Sequence, residues 1–189
     1  QYVIANKKYD EKFLRAANKA AATTAKEASW SNATWLVKIE KDAPTVFLRA
    51  TEAGIATKDK GKDKDGKDID VWKVGDKEFA FDPLVVLADG KPVAFDPNDD
   101  KTAVVGDLVV DSTVGNFKVK SSFVILIESA KANEFAKWAE IAGVNARDLE
   151  EIARELTLHG KKAVCDIHRG VSQHTNGFYN VLGWNTVNL

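Results

Sequence analysis

Residues 169–179, Arg-Gly-Val-Ser-Gln-His-Thr-Asn-Gly-Phe-Tyr, gather a guanidinium, two glycines and six neutral hydrogen-bonding side chains between an apolar run and the start of a helix. Arg169 can grip a phosphate through two parallel N–H donors, and Gly170 leaves the turn beside it free to bend. Gln173 and Asn176 each carry an amide donor and an amide acceptor, which matches the edge of a fused heterocycle. His174 can donate to an oxyanion or exchange a proton near neutral pH, so it is the candidate catalytic group. A helix beginning near Thr175 and Asn176 aims unpaired backbone N–H groups at whatever lies before it. The chemistry implied is the binding of a phosphate-bearing heterocycle, either a cofactor or a nucleotide. A structural alternative stays open, because Thr175 and Asn176 also suit a plain helix cap beside an incidental His174.

The other histidines and the single cysteine lie close by in sequence, at His159, Cys165 and His168. They invite a zinc site with His174, but the spacing argues against it. Residues three apart on a strand point to opposite faces, so Cys165 and His168 do not converge. The paired short spacing of structural zinc is missing as well. The same geometry separates a Cys–His nucleophilic pair, and neither a Gly-x-Ser-x-Gly elbow nor a phosphate-binding Gly-rich loop occurs. Cys165 therefore reads as a small core residue. Asp166, in what reads as a buried strand, needs a partner such as Lys162 or Arg169. It is either half of a structural ion pair or a catalytic carboxylate.

The elements that must position the loop follow from periodicity. Lys162 to Ile167 reads as a strand apolar on both faces, as in a parallel sheet. Before it, Asn145 caps a helix whose Leu149, Ile152, Ala153 and Leu156 form one stripe and which ends at Gly160. Phe135 to Ala142 is a second helix, stopped by Gly143, and Phe123 to Ile127 with its sequel is a third. After the loop, Phe178, Val181, Leu182 and Leu189 open a further helix. Near the N-terminus, Asp10 to Ala22 reads as one amphipathic helix.

Between these lies a different pattern. Short β-like runs at 36–39 and 46–49 lead to residues 58–68, KDKGKDKDGKD, an alternating-charge loop without apolar content. Asp63 and Asp65 before Gly66 imitate a calcium loop. Gly61 and Trp72 occupy the first and twelfth ligand positions, so it fails as one. Residues 70–120 read as a β-meander with two-residue turns at Gly75-Asp76, Asp89-Gly90 and Gly106-Asp107. Pro83, Pro92 and Pro97 fall at its edges and turns.

Helix, strand, loop and helix make an α/β arrangement, with the polar loop at a strand's carboxyl end, where open α/β sheets bind ligands. The fold expected is a partial three-layer αβα (Rossmann-like) segment with a β-hairpin-rich insertion. Residues 1–34 form the helical end of an α/β subdomain and 35–120 the β-rich insertion. Residues 121–173 supply the helices and strand of the subdomain, and 174–189 start the helix leading to the next.

Bulk composition narrows the function classes. Basic and acidic counts of 27 and 28 give a net charge of −1, which argues against a nucleic-acid partner. One cysteine excludes an internal disulfide framework. No apolar run reaches membrane-spanning length, and no signal peptide is visible at Gln1. The absence of methionine, and an apolar pattern running to Leu189 without a stop signal, point to a segment of a longer polypeptide.

The run 162–177, KAVCDIHRGVSQHTNG, resembles the large subunits of the dimethyl sulfoxide reductase superfamily. Residues 139–149 and 152–156 resemble that family's helix pair before the strand. Residues 3–10 and 13–15 resemble the segment closing its first nucleotide-type subdomain. The hairpin around Asp82-Pro83 and 89–93 and the later Val119-Lys120 fit the same pattern. The Arg-Gly-x-x-x-His-Thr-Asn-Gly form is most similar to the tetrathionate, arsenate and thiosulfate or polysulfide reductase branch, and to tetrathionate reductase first.

The resemblance implies a molybdenum or tungsten enzyme carrying bis(molybdopterin guanine dinucleotide), with molybdenum the expected metal, and this chain supplies part of the site. Arg169, Gly170, Gln173, His174, Thr175 and Asn176 would lie on the cofactor, with His174 nearest the chemistry. Arg169 and Gly170 would shape the loop. No metal ligand is assigned, and Cys165 is not taken as one. The family's N-terminal 4Fe-4S motif, its molybdenum ligand and its C-terminal dinucleotide-binding domain have no counterpart here, so the segment alone is not expected to be active. Implied in the same way are a periplasmic location, a membrane-anchor subunit, and an iron–sulfur electron-transfer subunit. The competing expectation is a self-contained α/β module that binds a nucleotide or anion without catalysis.

Overall fold

The computed structural model describes residues 1–188. Leu189, expected to extend the last helix, lies outside the described residues. Helices run over Tyr2–Ala5 (α1), Glu11–Arg15 (α2) and Lys19–Ala25 (α3), then Ser122–Ala130 (α4) and Phe135–Ala142 (α5). Ala146–Leu158 (α6), Arg169–Ser172 (α7) and Gly177–Asn188 (α8) complete them, with one 3-10 turn at Gly160–Lys162. Strands run over Leu36–Glu40 (β1), Ala43–Phe47 (β2), Thr57–Lys62 (β3), Asp68–Val74 (β4) and Lys77–Phe79 (β5). Four more follow at Leu84–Ala88 (β6), Lys91–Phe95 (β7), Asp111–Val114 (β8) and Phe117–Ser121 (β9). Two compact units result: Glu11–Ser129, which holds all the strands, and Gln1–Asp10 with Ala130–Leu189.

The α/β class expected from the sequence holds, and every strand pair is antiparallel. In the β-rich unit the main sheet has the order β2-β1-β9-β8. Leu36, Leu48, Val85 and Val119 are fully buried in its core. A second cluster forms around Trp35, which stacks on Trp30 at 5.3 Å and meets Phe47 and Phe95 edge-on. The Trp35 indole N–H donates to the Ala17 carbonyl at 3.2 Å, so this large aromatic is buried without an orphaned donor.

Several expected elements form as read. Gly75-Asp76 closes β4 onto β5 with Gly75 at φ +56°, and Asp89-Gly90 closes β6 onto β7 with both residues at positive φ. These are the backbone signs of type II′ and type I′ turns. The helices at 122–130 and 135–142 are present, and the Asn145 side chain accepts from Arg147 N to cap α6.

Six expectations are corrected. The single helix over 10–22 is broken into α2 and α3, because Ala16 bridges Val105 and Ala17 N donates to Val104 O. Buried Asn18 caps α3 and holds the 102–104 segment at the same time. Gly106-Asp107 is not a hairpin turn. Gly106 is a close approach: a Cβ there would stand 2.5 Å from the Thr34 Cβ. Asp107 instead accepts from Asp89 N and Gly90 N and so braces their turn.

The charged stretch at 58–68 is solvated, but it is a hairpin rather than a loop. Alternating charges lie on opposite faces of β3, and each finds its complement on β4. Asp70 sits between the Lys58 and Lys60 ammonium groups at 2.6 Å each. Those bonds, Lys58 first, bring its carboxyl from the ordinary 3.8 to about 2. A depressed carboxyl pKa stabilises the fold fully above the ordinary value, and the contribution is lost as pH falls through the lowered one. We therefore expect an NMR titration of the Asp70 carboxyl to find its midpoint near pH 2. A midpoint at the ordinary value would contradict the ladder.

The parallel strand expected over 162–167 does not form. Residues 163–168 form no regular element; their end residues Ala163 and His168 have extended backbone angles, and Ala163, Cys165 and Ile167 are half-buried while Val164 and Asp166 are exposed. Among the described residues no strand lies beside them, so there is no ladder to complete a sheet. Cys165 is half-buried and not a core residue. Asp166 faces water and makes no ion pair among the described residues, so the requirement for a buried partner lapses.

A buried Thr34 Oγ1 has no hydrogen-bond partner among the described residues. Thr34→Val removes an unsatisfied hydroxyl at constant shape. Stability should stay level or rise by roughly 1 kcal/mol in urea unfolding. A loss of about 1 kcal/mol or more would reveal a hidden partner.

Candidate functional site

The loop singled out from its residue types begins as a turn of helix. His168 is extended (φ −111°, ψ 164°), and Arg169–Ser172 then form α7, with Ser172 Oγ donating to the Arg169 carbonyl at 2.9 Å. Gln173 to Asn176 make the bend into α8, which starts at Gly177, one residue beyond the expected position. The Asn176 carbonyl accepts from Asn180 N at 3.0 Å and the His174 carbonyl from Gly177 N at 2.8 Å. The N–H groups of Phe178 and Tyr179 find no acceptor among the described residues, as a helix N-terminus requires.

All six predicted site residues, Arg169, Gly170, Gln173, His174, Thr175 and Asn176, are exposed. They share one short turn between α7 and α8. Among the described residues no side chain bonds to the Gln173, His174, Thr175 or Asn176 side chains, and Arg169 makes no ion pair. Asn176 does not use its side chain as a cap, although its carbonyl accepts the first helical bond. One cation, two amides, a hydroxyl, an imidazole and two free backbone N–H groups thus stand uncommitted together. That donor set fits an anionic, hydrogen-bonding ligand.

Sequence reasoning missed the residues that hold this turn closed. Gly177 is buried, and a Cβ on it would stand 1.9 Å from the Ser172 carbonyl oxygen. Asn180 Nδ2 donates to the Val171 carbonyl at 3.3 Å. Asn188 pairs both of its amide atoms with the Cys165 backbone. The signal for the two asparagines was available: they are polar amides on a largely apolar helix.

Among the described residues no group of three His, Cys, Asp or Glu side chains comes together to hold a metal. A shallow groove in the β-rich unit, lined by residues that include Phe47, Arg49 and Glu52, offers no alternative centre. Glu52 is committed to Lys38 and Arg49 N, and the Arg49 guanidinium to the Asp82 carbonyl.

Three curated proteins align with nearly the whole chain. The selenate reductase A-subunit of Mesobacillus selenatarsenatis is 42% identical over 181 residues, or 95% of this chain. The tetrathionate reductase A-subunit of Archaeoglobus fulgidus is 31% identical over 92% of the chain, and that of Salmonella typhimurium 28% identical over all of it. These similar proteins are members of the molybdopterin oxidoreductase (dimethyl sulfoxide reductase) family. The family resemblance read from the sequence is borne out by these relatives. The chain spans 15%, 13% and 16% of these relatives' lengths. No protein-family model matches it, and neither does any solved structure. Among the described residues, no helix is long and apolar enough to cross a membrane.

Proposed function

We propose that this chain is an internal segment of the catalytic subunit of an oxyanion reductase, and that its 169–176 turn contacts a bis(molybdopterin guanine dinucleotide) cofactor. The observation that carries the proposal is an uncommitted polar turn within a chain aligned almost end to end with selenate and tetrathionate reductases. Arg169 and the free N–H groups of α8 suit the cofactor's phosphates, and Gln173 and Asn176 suit the edge of its heterocycle. His174 is placed to hold or move a proton beside it. The cofactor supplies two-electron redox chemistry when bound, while these residues bind and orient it.

The exposed alternation of 163–168 fits the same reading. Its α8 neighbour exposes Phe178 at 73%, Tyr179 at 70% and Leu182 at 51%. The domain scheme of an α/β subdomain interrupted by a β-rich insertion is proposed on these grounds. A 4Fe-4S centre outside this segment, an iron–sulfur partner, a membrane anchor and a periplasmic location belong to the same proposal.

The relatives are named for selenate and tetrathionate, and the higher identity to the selenate reductase favours selenate. Selenate takes two electrons and two protons to give selenite and water. Tetrathionate takes two electrons, and its central S–S bond breaks to give two thiosulfates. The native polypeptide carrying this segment should oxidise a reduced viologen donor when given one of these oxyanions. A metal-loaded preparation inert toward selenate, tetrathionate and arsenate alike would overturn the substrate class.

A further inference from the structure

The 169–176 turn hangs between the 163–168 segment and α8, and one side chain ties the far ends of these two together. Asn188 Oδ1 accepts from Cys165 N at 2.7 Å, and Asn188 Nδ2 donates to the Cys165 carbonyl at 2.8 Å. An amide that takes both backbone groups of one residue imitates a neighbouring strand at that point. It is also the only satisfied pair in a segment that otherwise has no ladder among the described residues.

Lengths explain the consequence. From Gly177 to Asn188, α8 extends roughly 17 Å at 1.5 Å per residue. From Cys165 to Arg169 an extended chain covers roughly 13 Å. With Cys165 pinned to the C-terminal end of α8, the chain must run back along the helix to reach its N-terminal end. That path delivers Arg169 and α7 to the place where the helix begins. Asn180, one turn into α8, ties Val171 at the near end. Gly177 lets the Ser172 carbonyl approach the helix start closely. The turn is therefore a loop closed at both ends of one rigid helix.

We propose that Asn188 is a positioning residue, whose amide sets where the 169–176 turn stands relative to the start of α8. The inference rests on the reading of that turn as a cofactor contact, and it assigns a role to a residue that touches no ligand. Asn188→Leu leaves both Cys165 backbone groups without their partner. Asn188→Asp keeps the acceptor for Cys165 N but sets an oxygen against the Cys165 carbonyl. Asn185→Ala, on the same helix and with no side-chain bond among the described residues, is the control.

The test uses the intact native polypeptide, with hydrogen exchange of the 165–176 amides, molybdenum content, and the electron paramagnetic resonance line positions of the metal. Asn188→Leu should speed exchange at Cys165 and through α7 by about ten-fold or more. It should also lower metal content or shift the resonance lines. Asn188→Asp should do the same to a smaller degree, and Asn185→Ala should do neither. Unchanged exchange in both Asn188 variants overturns the clamp. Faster exchange with unaltered metal content and spectrum overturns the positioning role. If Gln173→Ala and Asn176→Ala change the metal readouts in that second case, the cofactor reading stands and only this inference fails. If they leave them unchanged, the cofactor reading fails with it.

Discussion

Asn18→Ala should lower the stability of the protein by roughly 3–5 kcal/mol, the summed cost of two buried N–H donors and one partly buried carbonyl losing their partner. The Asn18 side chain is fully buried. Its Oδ1 accepts from Ala21 N at 3.0 Å and Val104 N at 3.1 Å, and its Nδ2 donates to the Thr102 carbonyl at 2.7 Å. One amide therefore caps α3 and fastens a segment 84 to 86 residues away. Alanine leaves two N–H donors and a carbonyl facing each other with nothing between them. Asn18→Asp keeps both accepted bonds but turns an oxygen toward the Thr102 carbonyl, so it should recover only part of the loss. Urea unfolding followed by tryptophan fluorescence reads the effect, since Trp30 and Trp35 pack beside this segment. A change under about 1 kcal/mol would mean that water replaces the amide.

Gly177→Ala should open the turn that carries the candidate site. The added methyl would lie 1.9 Å from the Ser172 carbonyl oxygen and 2.4 Å from its carbon, far inside van der Waals contact. Both neighbours are backbone, so no rotamer change relieves the clash. Either α7 swings away from the start of α8, or α8 loses its first turn. Overpacking of this kind costs about 1–3 kcal/mol and occasionally more. Here it is concentrated at one joint, so limited proteolysis should cut within 169–176 while the β-rich unit stays resistant. Cofactor content of the intact polypeptide should fall with it. A variant as resistant as the parent at this turn would show that the close approach is not required.

How far the sequence revealed these features depends on the range of the interaction. Local signals worked: Asn145 capping α6, Gly143 ending α5 and the Asp89-Gly90 turn depend on residues within a few positions. The polar turn was legible for the same reason, because a run of hydrogen-bonding side chains has little use in a core. Long-range partners were not legible. The alanine-rich stretch at 10–22 has helical propensity throughout, and only Val104, far along the chain, explains why it breaks at Ala16–Asn18. Gly106 carried the sign of a turn, but its size is set by Thr34, far earlier in the chain. The charges at 58–68 read as a loop because the stretch has no apolar periodicity. Cross-strand ion pairs formed the strand instead. The run at 162–167 has the composition of a sheet interior, yet composition cannot supply the neighbouring strand. Asn188 pairing with Cys165 depends on the path of the whole loop, which no short window contains.

Contact between the 169–176 turn and a molybdopterin cofactor is the point on which the functional reading depends. The most direct measurement is the molybdenum and pterin content of the intact native polypeptide, compared with its Gln173→Ala/Asn176→Ala double variant at equal folded fraction. Both constituents should be bound together in the parent. The variant, whose exposed substitutions leave the core untouched, should lose both severalfold. A parent without molybdenum and pterin, or a variant that retains both in full, would contradict the contact.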